Sequence, residues 1–221
     1  MTSGFGATGR AGPGPSRMPE KYTRLEAAAL AALVADARVG HFAFVVDGEP
    51  RVLPIAIVAD GEDILLHGST GSSWLRLLAT GIPVALSVTA IDALVVARSA
   101  FESSMNYRSA VALGSCSPVE DRAAALDRLT DALIPGRVGE LRRPSAKELA
   151  ATLVLRMTVA EWSLKISDGW PEDCPDDVAG PTWAGVLPLK TGYREAIAAP
   201  DLAPGMALPP SVEKLLRPTT D

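Results

Sequence analysis

Two cysteines, Cys116 and Cys174, are all that 221 residues contain, and they stand far apart with no CxxC spacing. A disulfide framework is therefore not expected, and a reducing cytoplasm is the simpler setting. Histidine is as scarce, with His41 and His67 alone, and neither has a second ligand within a turn or two, so no metal site is expected. No apolar run approaches the ~18 residues that a membrane span requires, and the N-terminus has no apolar core of signal-peptide type. Positive charge is not in excess: 21 Lys and Arg stand against 26 Asp and Glu, for a net charge of −5. That balance argues against nonspecific binding to nucleic acid or to an anionic membrane.

Catalytic signatures are missing too. There is no Walker sequence, and Gly68-Ser69-Thr70-Gly71-Ser72 has the wrong phase for a serine-hydrolase elbow. Gly4 to Gly9 matches GxGxxG letter for letter, but with three residues before it there is no strand to present a dinucleotide.

What is present is a chain of ordinary globular composition, 48% hydrophobic and 21% charged. Residues 1–20, with five Gly and three Pro, read as a disordered leader, and residues 196–221 as a Pro-rich surface tail. Residues 21–195 form the folded domain. A Thr23–Glu26 capping box opens a helix carrying Leu30, Leu33, Val34 and Ala37, with Gly40 as its stop. Strands are expected over His41–Val46, Arg51–Val58 and Asp63–His67, with Asp47-Gly48 and Asp60-Gly61 as turns. Linkers this short join antiparallel neighbours, which excludes a doubly wound nucleotide-binding sheet. A short helix over Ser72–Thr80 follows, then a hairpin of Val84–Thr89 and Leu94–Ser99 and a strand at Ser109–Cys116. Boxes at Ser117–Glu120 and Ser145–Glu148 start two more helices, the first presenting Leu126, Leu129 and Leu133. Leu153–Ile166 and Trp183–Leu189 supply the last strands. The total, six to eight antiparallel strands with helices between, indicates a closed or nearly closed barrel.

Two segments can carry chemistry. LHGSTGSS, from Leu66 to Ser73, places a strand end, a small hydroxyl-rich loop and a helix start in order. That arrangement suits a phosphate, and equally suits a Ser/Thr helix cap. ARSAFESSMNYRS, from Ala97 to Ser109, mixes Arg98, Asn106, Tyr107 and Arg108 with Phe101 and Met105. A planar polar ring needs apolar faces and a few donors of this kind; a surface loop flanked by arginines has the same composition.

In order along the chain stand DGEP, LHGSTGS, ARSAF, SMNYRS, IPGR and WAGVLPL. On these motifs the chain resembles the flavin-nucleotide-binding branch of the pyridoxamine 5′-phosphate oxidase-like superfamily, which includes relatives of nitroimidazole-resistance reductases. The similarity covers about residues 22–190. It implies a mainly β, six-stranded antiparallel split barrel with flanking helices, forming a homodimer with FMN at the subunit interface. Position by position, it implies that His67, Gly68, Ser69, Ser72 and Ser73 surround the FMN phosphate and ribityl chain. Pro54, Ile55 and Ala56 would lie along the isoalloxazine, with Thr89 from the neighbouring strand. Asn106, Tyr107, Arg108 and Trp183 would approach from the same or the partner subunit, and Lys165 in SLKIS matches an SxKV stretch of the group.

Glu102 and Ser103 stand where many relatives have His-His. The Arg/His-rich C-terminal motif of true pyridoxamine phosphate oxidases is missing, which argues against pyridoxal phosphate synthesis. The implied activity is FMN-dependent reduction of a small electron-poor substrate, a nitroaromatic or quinone, with a nicotinamide as reductant. Arg108 and Lys165 are the candidate cations for a reduced flavin. The nearest residue to a proton donor is His67, whose ordinary reading is a hydrogen-bonded structural group. A deazaflavin reductase or a haem- or bilin-handling enzyme of the same fold is the alternative, and a non-catalytic flavin-binding or redox-sensing protein is a third.

Overall fold

The computed structural model describes residues 23–24 and 27–217. The leader, its GxGxxG match and residue 26 lie outside the described residues. Among those described, nine strands form one antiparallel sheet: β1 Thr23–Arg24, β2 Val39–Val46, β3 Glu49–Ala56, β4 Val58–Asp60, β5 Asp63–Ser69, β6 Pro83–Val96, β7 Ser104–Pro118, β8 Thr152–Ser167 and β9 Gly185–Pro188. The main path runs β3-β2-β6-β7-β8-β5-β4, with β1 added to β8 and β9 to β6. The helices are α1 Ala27–Ala37, α2 Ser73–Leu78, α3 Arg122–Leu133, α4 Ala146–Ala151, α5 Pro175–Val178 and α6 Pro210–Leu216. This is the expected split barrel with flanking helices, though the sheet does not close and has nine strands rather than six, of which β1, β4 and β9 are short.

Period-two patterning decides which face is buried. In β2, Phe42 and Phe44 point into the core while Val39, His41 and Val45 point out. In β6, Val84, Leu86 and Val88 point in while Ser87 and Thr89 point out. Leu30, Leu33 and Val34 of α1 close the main core against this inner face, together with Leu75 and Leu78 of α2. The run Ile64-Leu65-Leu66 of β5 is buried throughout because both faces are covered. Ile64 and Leu66 join the main core, while Leu65 meets Ala125 and Leu129 of α3 in a second, smaller one.

Several boundaries differ from the sequence expectation. Residues 83–96 make one long strand rather than a hairpin, because Ala90-Ile91-Asp92-Ala93 has no Gly or Pro and a bulge between Ile91 and Ala93 absorbs the irregularity. The true hairpin partner of β6 is β7, so Met105 to Ser109 are paired strand rather than loop. Ser117 and Pro118 end β7, and the cap of α3 is Asp121, whose carboxylate accepts from the Ala124 N–H. Thr23 lies in β1 opposite Lys165, and Glu26, the other half of the expected box, lies outside the described residues. Helix α1 stops before Arg38, which takes φ +59°, and Gly40 sits inside β2. A Cβ on Gly40 would come within 2.5 Å of Leu86 Cδ1, so close packing rather than helix termination asks for glycine there. The last strand shrinks to Gly185–Pro188.

The Ser145–Glu148 box forms in both directions, and Asp47-Gly48 makes a hairpin turn with both φ positive, as a type I′ turn requires. The C-terminal tail is more than surface coil. Pro209 and Pro210 open α6, and the Ser211 amide and hydroxyl both donate to Glu140 at 2.9 and 2.6 Å.

Candidate functional site

The Leu66–Ser73 segment folds as a strand end, a tight loop and the first turn of α2. Part of its hydroxyl supply is spent inside the loop. Ser69 Oγ accepts from the Gly71 amide at 3.0 Å, and Thr70 Oγ1 donates to the Ala151 carbonyl at 3.2 Å. Arg76 donates to the Thr70 carbonyl and tightens the same loop. The Ser72 hydroxyl makes no capping bond, and Ser73 is exposed. Gly68 is small for a packing reason, since a Cβ there would meet Leu75 Cδ1 at 2.5 Å. His67 is half-buried, and its Nδ1 is shielded from solvent without a hydrogen-bond partner among the described residues. Burial pushes its pKa below the usual imidazole value, which keeps the ring neutral.

A second cluster gathers where β6, β7 and β8 run side by side. Thr89 pairs with Ser109, and Ser109 with Lys165, so their side chains share one row of the outer face. The Lys165 ammonium contacts the Tyr107 hydroxyl and lies 4.7 Å from its ring centroid. Arg108 is held by Asp92 through Nε at 3.0 Å and Nη2 at 2.7 Å, and by Asp36 at 2.7 Å. These hydrogen bonds raise its pKa further and keep it charged between the two carboxylates. Of the two expected cations, Arg108 thus has its charge already answered within the fold. Asn106 is buried and donates to the Gly169 carbonyl at 2.9 Å, which makes it a brace for the turn after β8. Arg98 is likewise structural, fastened to the buried Asp173 carboxylate at 2.9 Å. Trp183 is exposed, its ring laid over Gly185.

The two clusters do not meet within one chain. His67 lies opposite Val154 on β8, and Lys165 is eleven residues further along that strand, about 36 Å of contour at a usual strand rise. Pro54, Ile55 and Ala56 stand on edge strand β3 opposite His41, Gly40 and Val39. Across the sheet, Pro54 is in register with His41, His41 with Ser87, Ser87 with Val111, and Val111 with Ser163. On this outer face Val39, Val45, Val52 and Val111 stand exposed.

Sequence reasoning missed a cleft of about 790 Å³ beside the second cluster. Asp36, Ala37 and Arg38 at the end of α1, Thr89 to Asp92 of β6, Arg108, and the strap Leu189–Tyr193 enclose it. The Leu189 amide bonds the Asp92 carbonyl at 2.8 Å, and the Arg38 guanidinium reaches the Tyr193 hydroxyl while lying 5.5 Å from its ring centroid. The partners are 155 residues apart, and neither stands in a motif.

Among the described residues no helix is long and apolar enough to cross a membrane, and no cluster of His, Cys, Asp and Glu could hold a metal ion. No curated protein matches the sequence. Among solved structures, the FAD and haem binding protein from Mycobacterium smegmatis is 47% identical, covering 88% of this chain and 97% of that one, with a TM-score of 0.85. A flavocytochrome from Azotobacter vinelandii is 31% identical over 88% and 92% of the two chains, with a TM-score of 0.79. A 5-nitroimidazole antibiotic resistance protein from Bacteroides thetaiotaomicron shares the fold at 14% identity, covering 76% of this chain and 90% of that one, with a TM-score of 0.56. Eighty-eight per cent of 221 residues is about 194, so the first two similarities extend well past β8 into the strap. The profile described as pyridoxamine 5′-phosphate oxidase matches residues 26–166, from α1 to the end of β8. With that profile spanning more than half its length and the whole barrel shared with a 47% identical relative, the chain belongs to the pyridoxamine 5′-phosphate oxidase family.

Proposed function

We propose that this chain is a flavin-binding redox protein that also holds haem. The observation that carries the reading is 47% identity, over nearly the whole of both chains, to a protein named for binding FAD and haem. FAD is accordingly favoured over the FMN expected from sequence motifs. The residues present suit a flavin. The outer face offers a wall of Ala56, Ser87, Ser109 and Ser163, with Lys165 at its end as the cation for a reduced ring. Ser72 and Ser73 keep hydroxyls for a phosphate. They suit haem as well, because His41 is exposed on the same face and His67 is held neutral with an unpartnered Nδ1. These two imidazoles are the chain's whole supply.

A bound flavin supplies hydride or single-electron transfer, and haem adds a one-electron site. The protein's own part is to orient and to screen: the outer face sets the ring plane, Lys165 balances charge, and Tyr107 fixes Lys165. Reduction of a small electron-poor substrate at the expense of a nicotinamide remains the proposed turnover. We also propose a homodimer, in which the partner's loop after β5 completes the site around Thr89 and Lys165.

The test is spectroscopic. Purified protein should show oxidised-flavin bands and a Soret band, and heat release with chromatography should return FAD. His41→Ala and His67→Ala, examined separately, should identify the iron ligand by loss of the Soret band. A preparation that takes up no flavin ends the reading; absence of a Soret band from the wild type removes its haem half, and retention of haem by both variants removes the histidine assignment.

A further inference from the structure

Arg38 combines two costs, and the structural contact it makes in return is with Tyr193 of the strap. It follows the last turn of α1 with φ +59°, a left-handed conformation that glycine adopts freely and that costs an arginine on the order of 1 kcal/mol. Its guanidinium meets no carboxylate among the described residues, although Asp36 and Asp92 line the same cleft. Both acids are committed to Arg108. The cleft therefore holds two carboxylates and two guanidinium groups, with both acids turned to Arg108, while the polar partner of Arg38 among the described residues is the uncharged Tyr193 hydroxyl.

The rest of the lining has a definite chemistry. Tyr193 is half-exposed and offers an aromatic face beside the guanidinium. Thr89 and Thr191 bring hydroxyls, and Asp36 has a carboxylate oxygen beyond the one Arg108 engages. Five guanidinium donors leave Arg38 several after the bond to Tyr193. A volume of about 790 Å³ falls within the range of small-ligand sites.

We infer that this cleft receives an adenosine 5′-phosphate group, with Arg38 on the phosphate, Tyr193 stacked on the base and Asp36 on a ribose hydroxyl. The inference deepens the flavin reading and rests on it for one of two sources of the nucleotide. The group is either the adenylate half of FAD or that of a nicotinamide reductant. The strap that supplies Tyr193 lies beyond residue 166, outside the span common to the family.

Arg38→Gly isolates the side chain, because glycine relieves the backbone conformation and the helix end is kept. Calorimetric titration of the whole protein, freed of bound flavin, with 5′-AMP should show binding that weakens at least tenfold in Arg38→Gly and in Tyr193→Ala. Absent binding of 5′-AMP to the wild type, or binding unchanged in both variants, overturns the assignment. The source is read in parallel. Weakened FAD retention with FMN retention unchanged in Arg38→Gly identifies the flavin dinucleotide; weakened NADH binding with flavin retention unchanged identifies the reductant. Should the wild type hold no flavin at all, the flavin reading fails while the 5′-AMP titration still decides the cleft.

Discussion

At the scale of single residues, the fold separates positions where a neighbour can yield from positions where none can. Gly114 stands at the β7–β8 irregularity, where an added Cβ would lie 2.0 Å from the Thr158 carbonyl oxygen and 3.1 Å from its carbon. Backbone in a paired strand has nowhere to move. Gly114→Ala should lower unfolding free energy by on the order of 3 kcal/mol, measured by denaturant titration. Gly40→Ala meets the methyl ends of Leu86 and Ile57 instead, and should cost about half as much. The two cysteines differ in the same way. Burial pushes the Cys116 thiol up to about 12, and Cys174 is exposed. Ellman titration of the native protein should find one reactive thiol per chain, and two in denaturant; two in the native state would contradict the buried position.

At the scale of elements, α3 depends on a local cap and covers a core that nothing else covers. The Asp121 carboxylate caps its first turn by accepting from the Ala124 N–H, and the helix seals Leu65 and Val154 with Ala125 and Leu129. Asp121→Ala should cost about 1 kcal/mol, read as a lowered thermal midpoint. Elements with a strong period or local turn chemistry were legible from sequence: α1's Leu30, Leu33 and Val34, the Asp47-Gly48 hairpin, the Ser145–Glu148 box. What misled were signals that a long strand overrides. Ser117-x-x-Glu120 has the letters of a cap, but cross-strand pairing with β8 holds Ser117 and Pro118 extended. The polar loop expected at Met105–Ser109 became strand for the same reason. The Ser and Gly residues after His67 were found, yet Arg38 and Tyr193 were not, because they meet only through the tertiary fold.

At the scale of the whole molecule, the outer face of the barrel carries exposed apolar side chains. Four exposed valines on one face are more than scattered surface apolars, and a second copy of the chain is the proposed cover. Light scattering should give twice the chain mass of 23.1 kDa. Val111→Asp, placed in the middle of that face, should shift the protein to monomer with its near-native secondary structure kept. A monomeric wild type would remove the dimer and the shared site together.

The C-terminal excursion from β8 onward is tied down by Arg98 on Asp173 near its start, by β9 on β6 and Tyr193 on Arg38 in its middle, and by Ser211 on Glu140 near its end. Between Tyr193 and Ser211 runs exposed coil with Ile197 and Met206 on its surface. A chain held at both ends behaves under a protease like a stapled ribbon: one nick in the middle divides it, but neither half is free to leave. Limited trypsin digestion should therefore give two bands on a denaturing gel while the folded particle keeps its mass.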